Sequence, residues 1–211
     1  MPAEKKTELE LDPQHQEIDR TFKSLNQPIW IVTTATEEAR SGLTATWIHQ
    51  ASIDSENPTV LIGLAPNHFT CESLHQSGHC VIHLLHPDQS DFVHRFARPS
   101  SRTHDKFADL NDDQLDDVKL PNRSIKIPWL SACHTAFACQ RIHSFDAGDR
   151  TYFLCHIHSV LKKNEGPFMR ETDFFSACTG DQIQNLNEDL LSDVQVQRPL
   201  LNAWIENLKK E

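Results

Sequence analysis

Apolar positions along this chain recur at two spacings, one helical and one extended. From Gln14 to Leu25, Ile18, Phe22 and Leu25 fall at i, i+4 and i+7, which predicts a helix with one apolar face. Pro28 then introduces a strand, Ile29 to Thr34. A polar turn, Glu37 to Arg40, leads into another from Ser41 to Gln50. Pro58 opens the strand Thr59 to Leu64, and the loop Ala65-Pro66-Asn67 follows. The segment His68 to Gln76 reads as a helix, with Asn67 as its expected N-cap and Gly78 at its end. A strand from His79 to Leu85 and a helix capped by Asp88 and reaching Ala97 come next.

The second half is more polar at first. Arg98 to Lys106 is a loop with three cations, and Asn111 to Asp117 is an acidic stretch. Two long strands, Ser131 to Phe145 and Arg150 to Lys162, flank the turn signal Asp146-Ala147-Gly148-Asp149. Phe137, Cys139 and Phe145 are expected on one face of the first, and Phe153, Cys155 and Ile157 on one face of the second. Gln182 to Gln197 is polar and weakly patterned. Pro199 starts a last helix with Leu200, Leu201, Trp204, Ile205 and Leu208 on its apolar side. Strands in runs with short peripheral helices predict a mainly β antiparallel barrel, not a βαβ fold. The expected units are a mobile tail over 1–13, one domain over 14–170, and an extension over 171–211 that carries the terminal helix.

Composition narrows the function classes. The chain has 211 residues, 38% hydrophobic and 24% charged, which suits one soluble domain. A net charge of −10 argues against general affinity for nucleic acid or anionic membrane. No apolar run approaches the roughly 20 residues that span a bilayer. Met1 to Leu11 lacks a secretory-signal core, so the cytoplasm is the expected location. The six cysteines form no C-x-x-C pair and read as reduced, small buried hydrophobes.

Chemistry concentrates in Ser41 to Ser52, which is small, polar and β-branched where a core strand would be aliphatic. Such a stretch can bring backbone N–H groups close to a flat ligand. In Gly63 to Thr70 a strand ends, a loop turns and a helix begins. Free N–H groups at a helix start favour phosphate, and Asn67, His68 and Thr70 can add side-chain donors. A plain capped helix is the alternative on these eight residues alone.

Taken in order, the segments Ile31-Val32-Thr33-Thr34, Gly42-Leu43-Thr44-Ala45-Thr46 and Ala51-Ser52-Ile53-Asp54 form a series. It continues with Asn57 to Ile62, Phe96-Ala97, Asp105-Lys106-Phe107 and the hairpin Ala147-Gly148-Asp149. The series, from about Gln27 to Leu161, resembles the flavin reductase-like, FMN-binding split-barrel family, and within it the flavin-reductase module of diflavin flavoproteins. The resemblance implies a six-stranded Greek-key split barrel, a homodimer, and FMN near the dimer interface. It implies that Thr44, Ala45, Thr46 and Trp47 line the flavin ring, with Ala51, Ser52, Ile53, Gly63, Leu64 and Ala65 under or beside it and Leu43 also binding the cofactor. Asn67, His68 and Thr70 would meet the phosphate, with Phe96, Ala97 and Arg98 also near the cofactor. The implied reaction is hydride transfer from NADH or NADPH to flavin, so no protein nucleophile is required.

The chain departs from the resemblance at Arg150, where many relatives have histidine after Gly-Asp. An arginine there can contact nicotinamide or its phosphate, or pair with Asp149 or Asp146 as a surface feature. Asn67 and His68 replace a lysine-containing loop of some relatives. Histidines are many, and His134, His143, His156 and His158 lie near cysteines on the long strands. Without paired short spacings they read as packed rim residues and no metal is expected. His79, His83 and His86 read as strand-end residues, and Trp129 as a core or interface aromatic. Two classes remain open: an NAD(P)H-dependent flavin reductase, serving a redox partner protein, or a flavoredoxin-like electron carrier. A pyridoxamine-phosphate-oxidase-like flavoprotein is a third.

Overall fold

The computed structural model describes residues 12–120 and 125–210. The tail expected over 1–13 therefore lies almost wholly outside the described residues. In chain order the elements are α1 (Pro13–Lys23), β1 (Trp30–Ala35), β2 (Arg40–Ala45), β3 (Ile48–Gln50), β4 (Thr59–Leu64), α2 (Phe69–Ser77) and β5 (His79–Leu84). They continue with α3 (Ser90–Ala97), β6 (Asp116–Lys119), β7 (Lys126–Trp129), β8 (Thr135–Asp146), β9 (Thr151–Lys163), α4 (Glu171–Ala177) and α5 (Gly180–Leu208).

Seven strands form one sheet in the order β2-β1-β5-β8-β9-β4-β3, with every pair antiparallel. Its two edge strands are neighbours in the chain, separated only by Thr46 and Trp47. A flat sheet would hold those edges about 29 Å apart, six spacings of ~4.8 Å. Three residue steps reach at most about 11 Å. The sheet must therefore curl until its edges approach, which makes it a split barrel. The expected six strands become seven because Ser41 to Gln50 is not one strand. β2 pairs with β1, the chain breaks at Thr46-Trp47, and β3 pairs with β4 on the opposite edge. One continuous strand could not serve both edges.

Two apolar clusters follow from the alternation along the strands. The first fills the barrel and draws on all seven strands and α2, including Val32, Leu43, Ile48, Ile62, Leu74, Ile82, Cys139 and Phe153. The second lies outside, where Ile31, Val81 and Ala136 meet Phe92 and Phe96 of α3, Ile127 of β7 and Phe174 of α4. Neighbours such as Ile31 and Val32 thus enter different clusters, and β1 and β5 are buried on both faces. Five cysteines are buried and all six are free thiols. Burial pushes the Cys71 thiol up to about 11 and the Cys133 thiol to about 12, so both stay protonated at neutral pH.

Several local expectations change. Phe153, Cys155 and Ile157 do share the barrel interior, as do Phe137 and Cys139. Phe145 does not. Register shifts in β8, the last between Arg141 and His143, break the alternation, and Phe145 stacks on Tyr152 at the exposed hairpin end. The N-cap of α2 is His68, not Asn67, and it makes no side-chain capping bond. Gly78 ends that helix in the left-handed region (φ 68°), as its position suggested. Asp88 does not cap α3. Gln89 holds that place, and its side chain bridges His86 N and Ala132 O instead. The pair β6–β7 was not anticipated. β7 packs on the outer face of β1, where Thr33 Oγ1 donates to Pro128 O at 2.6 Å. His83, next to the last residue of β5, is fully buried.

The C-terminal region differs most. α5 is one helix of 29 residues with Pro199 inside it, not a polar segment followed by a helix that Pro199 starts. Thr179 and Gln182 form a capping box at its start. Leu186, Asp189, Asp193, Gln197, Leu201 and Trp204 recur at steps of three and four and are its less exposed face. That stripe runs unbroken through Pro199. It was hard to see because three of its six members are polar. At the other end, Ile18 and Phe22 lie on α1, Leu25 falls just beyond its Ser24 C-cap, and all three remain exposed.

Candidate functional site

The edge where β4 hands over to α2 gathers most of the chemistry. Gly63 N donates to Trp47 O at 2.8 Å, so the residues that split β2 from β3 lie beside the end of β4. Gly63 faces Tyr152 across the β4–β9 pair, and a Cβ on Gly63 would stand 2.8 Å from the Tyr152 ring. The β8–β9 hairpin brings Arg150 over Trp47, its guanidinium 4.2 Å from the indole centroid. Arg150 also donates to Asp149 O at 2.7 Å and to Gln197 Oε1 at 2.6 Å. It pairs with Asp149, as one sequence reading held, but it is half-buried between Trp47 and α5, not a surface feature. Burial lowers its pKa against the opposing charges of Asp149 and Asp193, and it stays a cation.

Of the donors expected to meet phosphate, Asn67 and His68 part from Thr70, and Arg98, expected only near the cofactor, joins the first two. Arg98, Asn67 and His68 all meet carboxylates of α5. Arg98 pairs with Asp189. Asn67 Nδ2 donates to Asp193 Oδ1 at 3.5 Å, and His68 Nε2 lies 3.5 Å from Asp193 Oδ2. The hydrogen bond from His68 is the main cause that holds the Asp193 carboxyl below its usual value, against burial. Thr70 is elsewhere. It is buried and shares a hydrogen bond of 2.7 Å with Ser41 Oγ.

The ring-lining segment offers backbone more than side chains. Leu43 and Ala45 point into the barrel core, and Thr44 Oγ1 donates to Val93 O at 3.0 Å. Thr46 and Trp47 are partly open. Trp30, opposite Ala45, keeps its indole N–H buried without a partner, the one such side-chain atom among the described residues. Phe96 is a core residue under Gly42, while Ala97 beside it is exposed. Ala51, Ser52 and Ile53 lie at the far end of β4, where Ala51 N donates to Thr59 O. That is about 16 Å from Leu64 by strand rise. Within one chain they are not brought together with Ala65 and Asn67. Ser52 is occupied in its own turn, with Asn57 and Thr59, and Ile53 is fully exposed.

The three cations of the 98–106 loop have separate roles. Arg102 pairs with Glu72 of α2 at 2.7 Å and lies over the Phe69 ring. Lys106 is buried, donates to Phe96 O at 2.5 Å, and burial lowers its amine to about 8. Between that value and the free value of 10.5, the unfolded chain binds the extra proton, so this residue makes stability rise with pH. Relative to Lys106→Met, the native protein is expected to gain about 2 kcal/mol between pH 7 and pH 10, at ~1.4 kcal/mol per pK unit. Urea unfolding of both proteins at the two pH values measures this, and equal pH dependence in the two would refute it.

Sequence reasoning missed Tyr152, Asp189, Asp193 and Gln197. The single tyrosine opposite a strand glycine was a usable signal. The i, i+4, i+8 spacing of 189, 193 and 197 was another.

The chain is 24% identical over 139 residues to the FMN reductase (NADH) SmoA of Agrobacterium fabrum, covering 66% of this chain and 72% of that protein. Among solved structures, the Streptomyces globisporus NADH:FAD oxidoreductase SgcE6 aligns with a TM-score of 0.60 at 19% identity, over 82% of this chain and 95% of that one. Flavoredoxin from Methanosarcina acetivorans aligns with a TM-score of 0.56 at 12% identity, over 67% and 70%. At these identities the structures speak for the fold. The family model described as flavin reductase like domain matches residues 22–173, from the end of α1 into α4 and so across the whole barrel, and the chain belongs to that family.

Proposed function

We propose that this protein is an FMN-dependent flavin reductase that takes hydride from NADH. The observation that carries the reading is the family match across the barrel, residues 22–173. The NADH-linked name of the Agrobacterium relative supports the reductant. The residues present fit the cofactor's charged end. Arg98, Asn67 and His68 already surround carboxylates one helical turn apart, the donor set that a phosphate needs.

Flavin, when bound, supplies the redox chemistry by accepting a hydride from the nicotinamide. The chain's own residues bind and orient. Arg98, Asn67 and His68 would hold the phosphate. Backbone groups of Leu43 to Trp47 would border the ring, and Arg150, fixed on Trp47, would offer a cation to nicotinamide or its phosphate. The exposed apolar side chains Ile18, Phe22 and Leu25, close together at the N-terminal end, support a homodimer that covers them. Among the described residues no helix is long and apolar enough to cross a membrane. We place the protein in the cytoplasm, where its free thiols stay reduced.

The test is an anaerobic titration with FMN followed by NADH. Bound FMN should bleach within seconds of adding NADH. Bleaching by dithionite alone would favour the carrier role that the likeness to flavoredoxin raises, and no FMN binding at all would remove the flavin reading.

A further inference from the structure

Three polar residues of α5 dock on the proposed phosphate end. Asp189, Asp193 and Gln197 lie at i, i+4 and i+8, on one stripe of the helix. Asp189 pairs with Arg98. Asp193 faces His68 and Asn67. Gln197 accepts from Arg150 and donates to Asn67 Oδ1 at 3.4 Å. A helix that merely packs on a barrel buries apolar side chains along such a stripe. This one places two carboxylates on Arg98, His68 and Asn67, the donors proposed above to hold a phosphate.

We infer that Asp189 and Asp193 occupy the anion subsite, so that a flavin phosphate enters only by displacing them. On this inference, which rests on the proposed flavin site, these two residues set the discrimination between phosphorylated and unphosphorylated flavins. The chemistry is symmetrical. A carboxylate and a phosphate monoester seek the same guanidinium and amide donors, and the phosphate carries about 1.5 to 2 negative charges against one. The carboxylates are well placed to be displaced, because their pairs are half-exposed and such pairs are individually weak. Gln197 is buried and uncharged, and Arg150 keeps Asp149 whichever anion is present. Displacement therefore concerns the two acids and spares the rest of the docking stripe.

The experiment uses the full chain and its Asp189→Asn, Asp193→Asn double variant. Both are titrated with FMN and with riboflavin, which shares the ring and lacks the phosphate. The variant should bind FMN at least tenfold more tightly, with riboflavin affinity changed by less than twofold. Each single variant should give part of the same selective shift, which keeps the test readable if the double variant does not fold. FMN affinity that is unchanged, or that moves together with riboflavin affinity, overturns the inference and leaves the flavin site standing. Binding of neither flavin by either protein overturns the flavin reading, and the inference with it.

Discussion

Replacing Gly42 with valine is expected to destabilise the protein by about 3 kcal/mol, the upper part of the range for overpacking a closed core. A Cβ at this position would stand 2.6 and 2.8 Å from ring carbons of Phe96 and 3.2 Å from Val32 O. Valine adds two methyl groups beyond that Cβ. The Phe96 ring has nowhere to retreat. It is fully buried, it meets Phe107 edge-on at 5.4 Å, and its carbonyl receives the Lys106 amine. Ser101 closes the other side, since its hydroxyl accepts from Gly42 N and donates to Gly42 O. Gly42 is therefore where β2, α3 and the 98–106 loop are clamped together beside the proposed ring-lining segment. Urea unfolding measures the loss. A double variant with Phe96→Leu should be more stable than the sum of the two single losses predicts, by more than ~1 kcal/mol, because the smaller side chain relieves the same clash. Additive losses would mean that the close approach of Gly42 to Phe96 is not the cause.

The barrel was legible because its strands are short apolar runs with clear punctuation. Thr59 to Leu64 emerges with the bounds read from sequence, and the Asp146 to Asp149 turn forms with Gly148 at φ 86°. The family was legible for another reason: weak segments in a fixed order add up, although no single one is specific. What escaped notice depended on tertiary partners. Nothing local tells that Trp47 ends one strand pair and begins another, since only the closing of the barrel requires it. The docking stripe of α5 was unreadable as amphipathic because its partners are Arg98, His68, Asn67 and Arg150, which select polar residues. Polar residues on a helix read as solvent-facing until the cations opposite them are known. Site residues divide along the same line. Of the three expected phosphate donors, Asn67 and His68 hold a carboxylate while Thr70 serves the interior with Phe96, and Arg98, expected only near the cofactor, holds a second carboxylate.

The buried histidine yields the largest pH effect. His83 is fully buried, and burial lowers its imidazole from 6.5 to about 4. Its two nitrogens are both engaged. Nδ1 lies 2.9 Å from Ile31 O, and Nε2 accepts from Leu130 N at 3.1 Å. That arrangement requires the neutral tautomer with its proton on Nδ1, because a carbonyl can only accept and Leu130 N–H can only donate. Protonating Nε2 would set two donors against each other in a closed space. The folded value lies below the unfolded one, so the unfolded chain takes up the proton first as pH falls. The stabilisation is whole above pH 6.5 and is lost between 6.5 and 4. A shift of this size corresponds to about 3 kcal/mol lost by pH 4. In His83→Leu the Leu130 N–H loses its acceptor, which costs about 1–3 kcal/mol at pH 7, but this share of the acid sensitivity disappears. Unfolding curves at pH 7, 5.5 and 4 should therefore converge, the native protein falling faster than the variant. Parallel loss in the two would show that the acid sensitivity arises at other groups.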